Sequence, residues 1–142
     1  MLEHVPNWLG RALKGVRAGA DRLVIARAGL PLDLPALQLG SPAFADGARL
    51  PIRFTADGAG VSPPLIWGRI PEGAASLALI VEDPDVPAMR PLVHGLVWNL
   101  PPEPGGLNEG AIRKDGAGGA EGEDVGRHSL FAEGWLPPDP PS

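Results

Sequence analysis

Two apolar runs separated by one stiff acidic loop constrain this chain more than anything else in it. Residues 76–82 are apolar at nearly every position, and Leu92 to Leu100 forms a second, longer run. Their β-branched residues, bounded by Pro71, Pro84 and Pro101 where a missing N–H is tolerated, predict two strands. The first run has no polar face, so both its faces are expected to be covered, as in a central strand. In the second, alternation sets Leu92, His94, Leu96 and Trp98 on one face and Val93, Gly95, Val97 and Asn99 on the other. Between them, Asp83-Pro84-Asp85-Val86-Pro87 is a turn whose prolines fix φ and hold two carboxylates at the mouth of the sheet.

Elsewhere the period of two recurs in shorter pieces. Leu37 and Leu39 alternate with Ala36 and Gln38, Ile52 and Phe54 flank Arg53, and Leu65 and Trp67 follow Ser62-Pro63-Pro64. Residues 7–28 instead carry Leu9, Leu13, Val16, Ala20, Leu23 and Val24 at helical spacing. Asn7 suits a cap, and Gly29 with Pro31 a stop. Gly10, Gly15 and Gly19 each cost such a helix about 1 kcal/mol relative to Ala, so it is expected to lean on its own domain or a dimer mate. Residues 105–124 read as a long surface loop, and the tail carries Phe131 and Trp135 before Pro-Pro-Asp-Pro-Pro. The expected fold is all-β in character, a β-rich α+β sandwich, with residues 1–30 as a helical extension and residues 31–142 as the β domain.

Charge and composition exclude several classes. The formal net charge is −5, whereas nucleic-acid binders are basic. Residues 1–30 are locally +3, leaving −8 for the rest. With no cysteine, disulfides and thiolate metal sites are excluded. No window has the length and apolarity of a transmembrane helix, and charges and glycines interrupt any signal-peptide centre near the N-terminus. A cytoplasmic location is the expectation by elimination.

The chemistry-bearing residues gather at the acidic loop and the strand after it. Asp83 and Asp85 have an ordinary explanation as turn formers that cap backbone N–H groups, and His94 as a satisfied core residue. Together they also suit an anion pocket in which a carboxylate orients the imidazole. A divalent metal on Asp83, Asp85 and His94 is an alternative, with a weak ligand signature. The serines are Ser41, Ser62, Ser76, Ser129 and Ser142, and Thr55 is the only threonine. None lies in a Gly-x-Ser-x-Gly motif, so nucleophilic catalysis is not expected.

The Asp83-Pro84-Asp85-Val86-Pro87 turn, followed by His94 in Leu92-Val93-His94-Gly95-Leu96-Val97-Trp98-Asn99-Leu100-Pro101, resembles the phosphatidylethanolamine-binding protein family and its bacterial Raf kinase inhibitor-like branch. Ser41-Pro42-Ala43-Phe44, Ala56-Asp57-Gly58 and Ser62-Pro63-Pro64-Leu65-Ile66-Trp67 resemble the family's early strands. Gly126-Arg127-His128-Ser129 and Gly134-Trp135-Leu136-Pro137-Pro138-Asp139-Pro140-Pro141 resemble the approach to its second signature. The resemblance implies a sandwich with a small anion pocket lined by Asp83, Asp85, Pro87 and His94, with Pro140 and Pro141 in its wall. It implies a non-enzymatic regulatory module for phosphate-like or carboxylate groups and phospholipid head groups, acting on a kinase-like or other protein partner. No cofactor or metal, nucleic acid or integral membrane segment enters this expectation. Three departures bear on it, the first being Val86 in place of the family's usual Ala, a small change at the pocket rim. His128 stands where related bacterial sequences often have Asn. The sequence also ends at Ser142, where a second signature containing His-Arg-Tyr is expected, so the domain reads as incomplete and the pocket as open on one side. A metal-dependent hydrolase on Asp83, Asp85 and His94, and a truncated copy that binds nothing, are the alternatives.

Overall fold

A computed structural model describes residues 16–31, 33–116 and 124–140. Within the described residues six strands form two sheets: β1 (Leu39–Gly40), β2 (Leu65–Trp67), β3 (Leu77–Asp83), β4 (Leu92–Leu100), β5 (Gly105–Leu107) and β6 (Asp124–Val125). One sheet has the order β1-β2-β5, with both pairings antiparallel, and the other the order β3-β4-β6, with β6 antiparallel to β4. Val97, Leu100, Ile112 and Trp135 form the buried cluster. Trp67 and Leu107 pack against it from one sheet, and Leu77, Leu79, Val81 and Val125 from the other. A core fed by the facing sides of two sheets is a β-sandwich core. Among the described residues no helix is long and apolar enough to cross a membrane.

By their contacts the described residues divide into two compact units. One holds residues 16–31 and 82–92, and the other holds residues 33–81, 93–116 and 124–140. The sandwich core lies in the second.

Several expectations need correction. The helix expected over 7–28, with its cap at Asn7, lies outside the described residues as far as position 15. From there on it is broken into a 3-10 turn, Ala20–Arg22, and a single α turn, α1 (Val24–Arg27). Gly19 at φ 85° and the extended Leu23 (φ −58°, ψ 149°) stop it from continuing. A lone α turn is below the length at which helix propagation repays nucleation.

Ile52–Phe54 is a 3-10 turn, not a strand. Thr55 Oγ1 donates to the Ile52 carbonyl at 2.8 Å and closes it. Phe54 is thereby fully buried, its ring 6.2 Å from that of Phe44, while Ile52 is 62% exposed. Strand β3 is covered on one face only: Leu77, Leu79 and Val81 are half-buried, whereas Ala78 and Ile80 are exposed. Residues 105–124 are not one loop, since β5 and the start of β6 fall within them and Ile112 enters the core.

Candidate functional site

Strand β4 carries the histidine, and its register with the chain that returns along it decides what the histidine meets. Val97 pairs with Val125 and Trp98 with Asp124. That pairing ends at Val97, and nearer the start of β4 the partner of His94 is Leu136, whose N–H donates to the His94 carbonyl. The bonds beyond β6 do not continue one regular ladder, since those at Leu96 and Val93 lie an odd number of positions apart. Gly126 N–H donates to the Leu96 carbonyl at 2.8 Å and Ser129 N–H to the Val93 carbonyl at 3.1 Å. Val93 N–H in turn donates to Ser129 Oγ at 2.7 Å. A tight turn then reverses the chain: Phe131, at φ 65°, donates to the His128 carbonyl, and His128 N–H donates to the Ala132 carbonyl.

Both imidazoles are buried, His94 at 3% and His128 at 8% exposure. Each has one nitrogen fixed by backbone. His94 Nδ1 lies 2.8 Å from the Leu136 carbonyl. A carbonyl only accepts, so Nδ1 carries the proton and Nε2 is the acceptor of the neutral ring. The Leu136 N–H returns a bond to the His94 carbonyl at 2.8 Å, which makes the contact two-pronged. At His128 the polarity is opposite: Nδ1 accepts from Leu130 N–H at 3.1 Å, so the proton of its neutral ring sits on Nε2. Trp135 closes the other side of β4. Its six-membered ring lies where a Cβ on Gly95 would be, at 3.0 Å, and its centroid is 6.1 Å from that of His94. Trp135 Nε1 is buried and finds no hydrogen-bond partner among the described residues.

Burial pushes the His128 imidazole below its ordinary value of 6.5, and the charge of His94 pushes it the same way. The unfolded chain then binds more protons than the folded one at and somewhat below pH 6.5. The stability linked to His128 is therefore complete above that value and lost as pH falls through the lower folded-state value. Urea unfolding at a series of pH values should show a decline that is shallower in His128→Asn, whose amide keeps an acceptor for Leu130 N–H. Identical pH dependence in the two proteins would rule out His128 as its source.

The remaining expected site residues are distributed as follows. Asp83, Asp85 and Pro87 lie in the unit that also holds residues 16–31, with Asp83 half-buried and Asp85 and Pro87 exposed. Asp83 Oδ1 accepts the N–H of Asp85 at 2.8 Å, so this carboxylate closes its own turn. His94 lies in the sandwich unit, as does Pro140, which is exposed, whereas Pro141 is outside the described residues. Among the described residues no three His, Cys, Asp or Glu side chains are grouped to hold a metal.

The hydroxyls near the core are committed to structure. Ser41 Oγ donates to the Pro64 carbonyl at 2.6 Å, and Ser62 Oγ accepts Ile112 N–H at 3.1 Å. Ser129 and the Leu136 carbonyl, which position β4 and its histidine, carry no composition signal and become visible only through the register.

A two-sheet, β-rich domain with two buried histidines is the class that fold and site define. Residues 40–142 match the phosphatidylethanolamine-binding protein family. The chain belongs to that family. It is 39% identical over 106 residues to a UPF0098 protein of Methanothermobacter thermautotrophicus, covering 75% of this chain and 68% of that one. It is 52% identical over 79 residues to a UPF0098 protein of Chlamydia pneumoniae, covering 53% of each. A Mycobacterium tuberculosis protein, LppC, whose name marks it as a candidate lipoprotein, is 41% identical over 107 residues, covering 75% of this chain and 48% of that one.

Among solved structures, YbcL of E. coli, described as a member of the mammalian PEBP family, aligns with a TM-score of 0.67 at 31% identity, covering 74% of this chain and 67% of its own. The PEBP homologue CT736 of Chlamydia trachomatis aligns with a TM-score of 0.64 at 38% identity, covering 75% and 67%. The chain thus spans between about half and two thirds of the length of these relatives.

Proposed function

We propose that this protein is a regulatory module that binds phosphate-like or carboxylate head groups at His94 and signals occupancy to a protein partner. The observation that carries the reading is the two buried imidazoles, His94 and His128, each with one ring nitrogen fixed by backbone and the charge of the first acting on the second. The fixed Nδ1–H of His94 leaves Nε2 as the nitrogen that becomes a donor in the charged ring, and the fixed acceptor of His128 makes its Nε2 a donor. The two charges oppose each other. An anion bound there offsets that repulsion and favours the charged form of His128, so binding strengthens as pH falls. Asp83, Asp85, Pro87, Pro140 and Pro141 join this reading on the strength of the family motif.

Titration calorimetry with sulfate, an anion that does not itself titrate near neutrality, tests the proposal. His94→Ala is expected to weaken binding by about 1.5–3 kcal/mol, the loss of a charge-assisted hydrogen bond. The wild-type affinity is expected to be higher at pH 6 than at pH 8. Equal affinity of the two proteins would refute the assignment, and no binding heat in either would favour the copy that binds nothing.

The reading is non-enzymatic. The hydroxyls of Ser41, Thr55, Ser62 and Ser129 are each bonded to backbone, and among the described residues no grouped metal ligands support the hydrolase alternative. Hydrolysis of phosphate or carboxylic esters that vanishes in Asp83→Asn would overturn it. Modulation of a kinase-like partner and residence in the cytoplasm are parts of the same proposal. The LppC relative makes cell fractionation the check on location.

A further inference from the structure

We propose that residues 16–28 are a positioning element that holds the acidic loop, residues 82–92, in its shape. Three bonds reach across the sequence to that loop, two near its start and one toward its end. Val24 N–H donates to Glu82 Oε2 at 3.0 Å, Gly19 N–H donates to the Pro84 carbonyl at 3.0 Å, and Arg22 Nη1 donates to the Met89 carbonyl at 2.5 Å. The donors and acceptors are thereby 58 to 67 residues apart in the chain for the two side-chain contacts.

The dependence runs both ways. Among the described residues the segment has little else to order it: neither short helix contains a buried residue, Val24 is 46% and Ile25 67% exposed, and Ala18 is its one buried hydrophobic side chain. Its single α turn is too short to persist alone, and Glu82 supplies the acceptor that its first N–H would otherwise seek in water. On the loop side, the prolines at 84, 87 and 91 cannot donate backbone bonds. Two bonds within it are short-range, from Asp85 N–H to Asp83 Oδ1 and from Ala88 N–H to the Val86 carbonyl. Gly19 matters because its positive φ aims the N–H at Pro84 from a backbone shape that residues with a Cβ rarely adopt. Segment and loop therefore order together, and Arg22 and Glu82 act on the motif aspartates through the backbone.

The consequence for binding rests on the anion reading above, so the experiment has two readouts. Amide hydrogen exchange is measured at Asp85, Val86, Ala88, Met89 and Arg90, and sulfate affinity by calorimetry, in wild type, Glu82→Ala, Glu82→Gln and the double variant Arg22→Ala with Glu82→Ala. Exchange at these amides and across 19–28 is expected to quicken together by about fivefold to tenfold in Glu82→Ala, and further in the double variant. Amides 95–100 should stay unchanged, which reports an intact sandwich. Glu82→Gln, which keeps the acceptor, should restore the slow exchange and the sulfate affinity lost in Glu82→Ala. Unchanged loop exchange in the double variant would overturn the proposal even if sulfate binds well. Quickened loop and segment exchange in a protein that binds no sulfate would uphold it while defeating the anion reading.

Discussion

Replacing Trp135 with alanine is expected to destabilise the sandwich by about 3–5 kcal/mol, the range for truncating a large aromatic in a close-packed core. Trp135 is 3% exposed and belongs to the buried cluster with Val97, Leu100 and Ile112. Its ring occupies the space beside Gly95 that a side chain would fill, so no neighbour on β4 can collapse into the hole. Trp135→Phe separates packing from polarity. The indole N–H is buried without a partner among the described residues, an arrangement that itself costs about 1–3 kcal/mol. Phenylalanine leaves a smaller void and removes that donor, and its net cost should be below about 1.5 kcal/mol. Urea unfolding followed by circular dichroism distinguishes the two. Equal losses in both variants would mean that the indole N–H is satisfied and that its bond, not ring size, decides.

Much of the sandwich was legible because its strongest signals are local. The apolar run Leu92–Leu100 is β4 at the expected bounds, and the Pro-rich acidic loop follows β3 as expected. The Raf kinase inhibitor-like resemblance agrees with the family match. Alternation failed inside β4 for a backbone reason. Asn99 adopts φ 61°, which interrupts the pleat, so Val97 and Leu100 face the core together although a strict period of two separates them. Period two also misled at Ile52 and Phe54, because a 3-10 turn closed by Thr55 can bury one aromatic and expose its neighbour two residues earlier.

At the site, His94 was visible as a polar residue in an apolar run. The action of its charge on His128 was not, because 34 positions separate them in the chain and only the fold brings the two rings within range. The ring orientation of His94 depends on the Leu136 carbonyl, a backbone atom that no residue type announces. Interactions of this kind carry no composition, and a single sequence cannot display them.

Gly134→Ala should be the most damaging of the small substitutions, with a loss of about 2–6 kcal/mol. Two costs combine. Gly134 sits at φ 113°, a region in which an L side chain is strained by about 1–3 kcal/mol. An added Cβ would also overlap the Arg113 carbonyl oxygen and stand 2.9 Å from Gly116 N and 3.0 Å from the Lys114 carbonyl. Those are backbone atoms that cannot rotate aside, and overpacking of this kind costs about 1–3 kcal/mol more. Gly47→Ala provides the comparison: its φ is 74°, yet nothing lies within 4 Å of the added carbon, so it carries the backbone strain alone. The effect at Gly134 extends to the site. Its own N–H donates to Gly126 and the next N–H donates to Arg113, and these two bonds set the course of the segment that brings the Leu136 carbonyl onto His94. Nitrogen NMR of the imidazoles should therefore find the Nδ1–H form of His94 well defined in wild type and Gly47→Ala and mixed in Gly134→Ala. If Gly134→Ala is no less stable than Gly47→Ala and keeps the same His94 tautomer, the close approach at Gly134 does not support the ring.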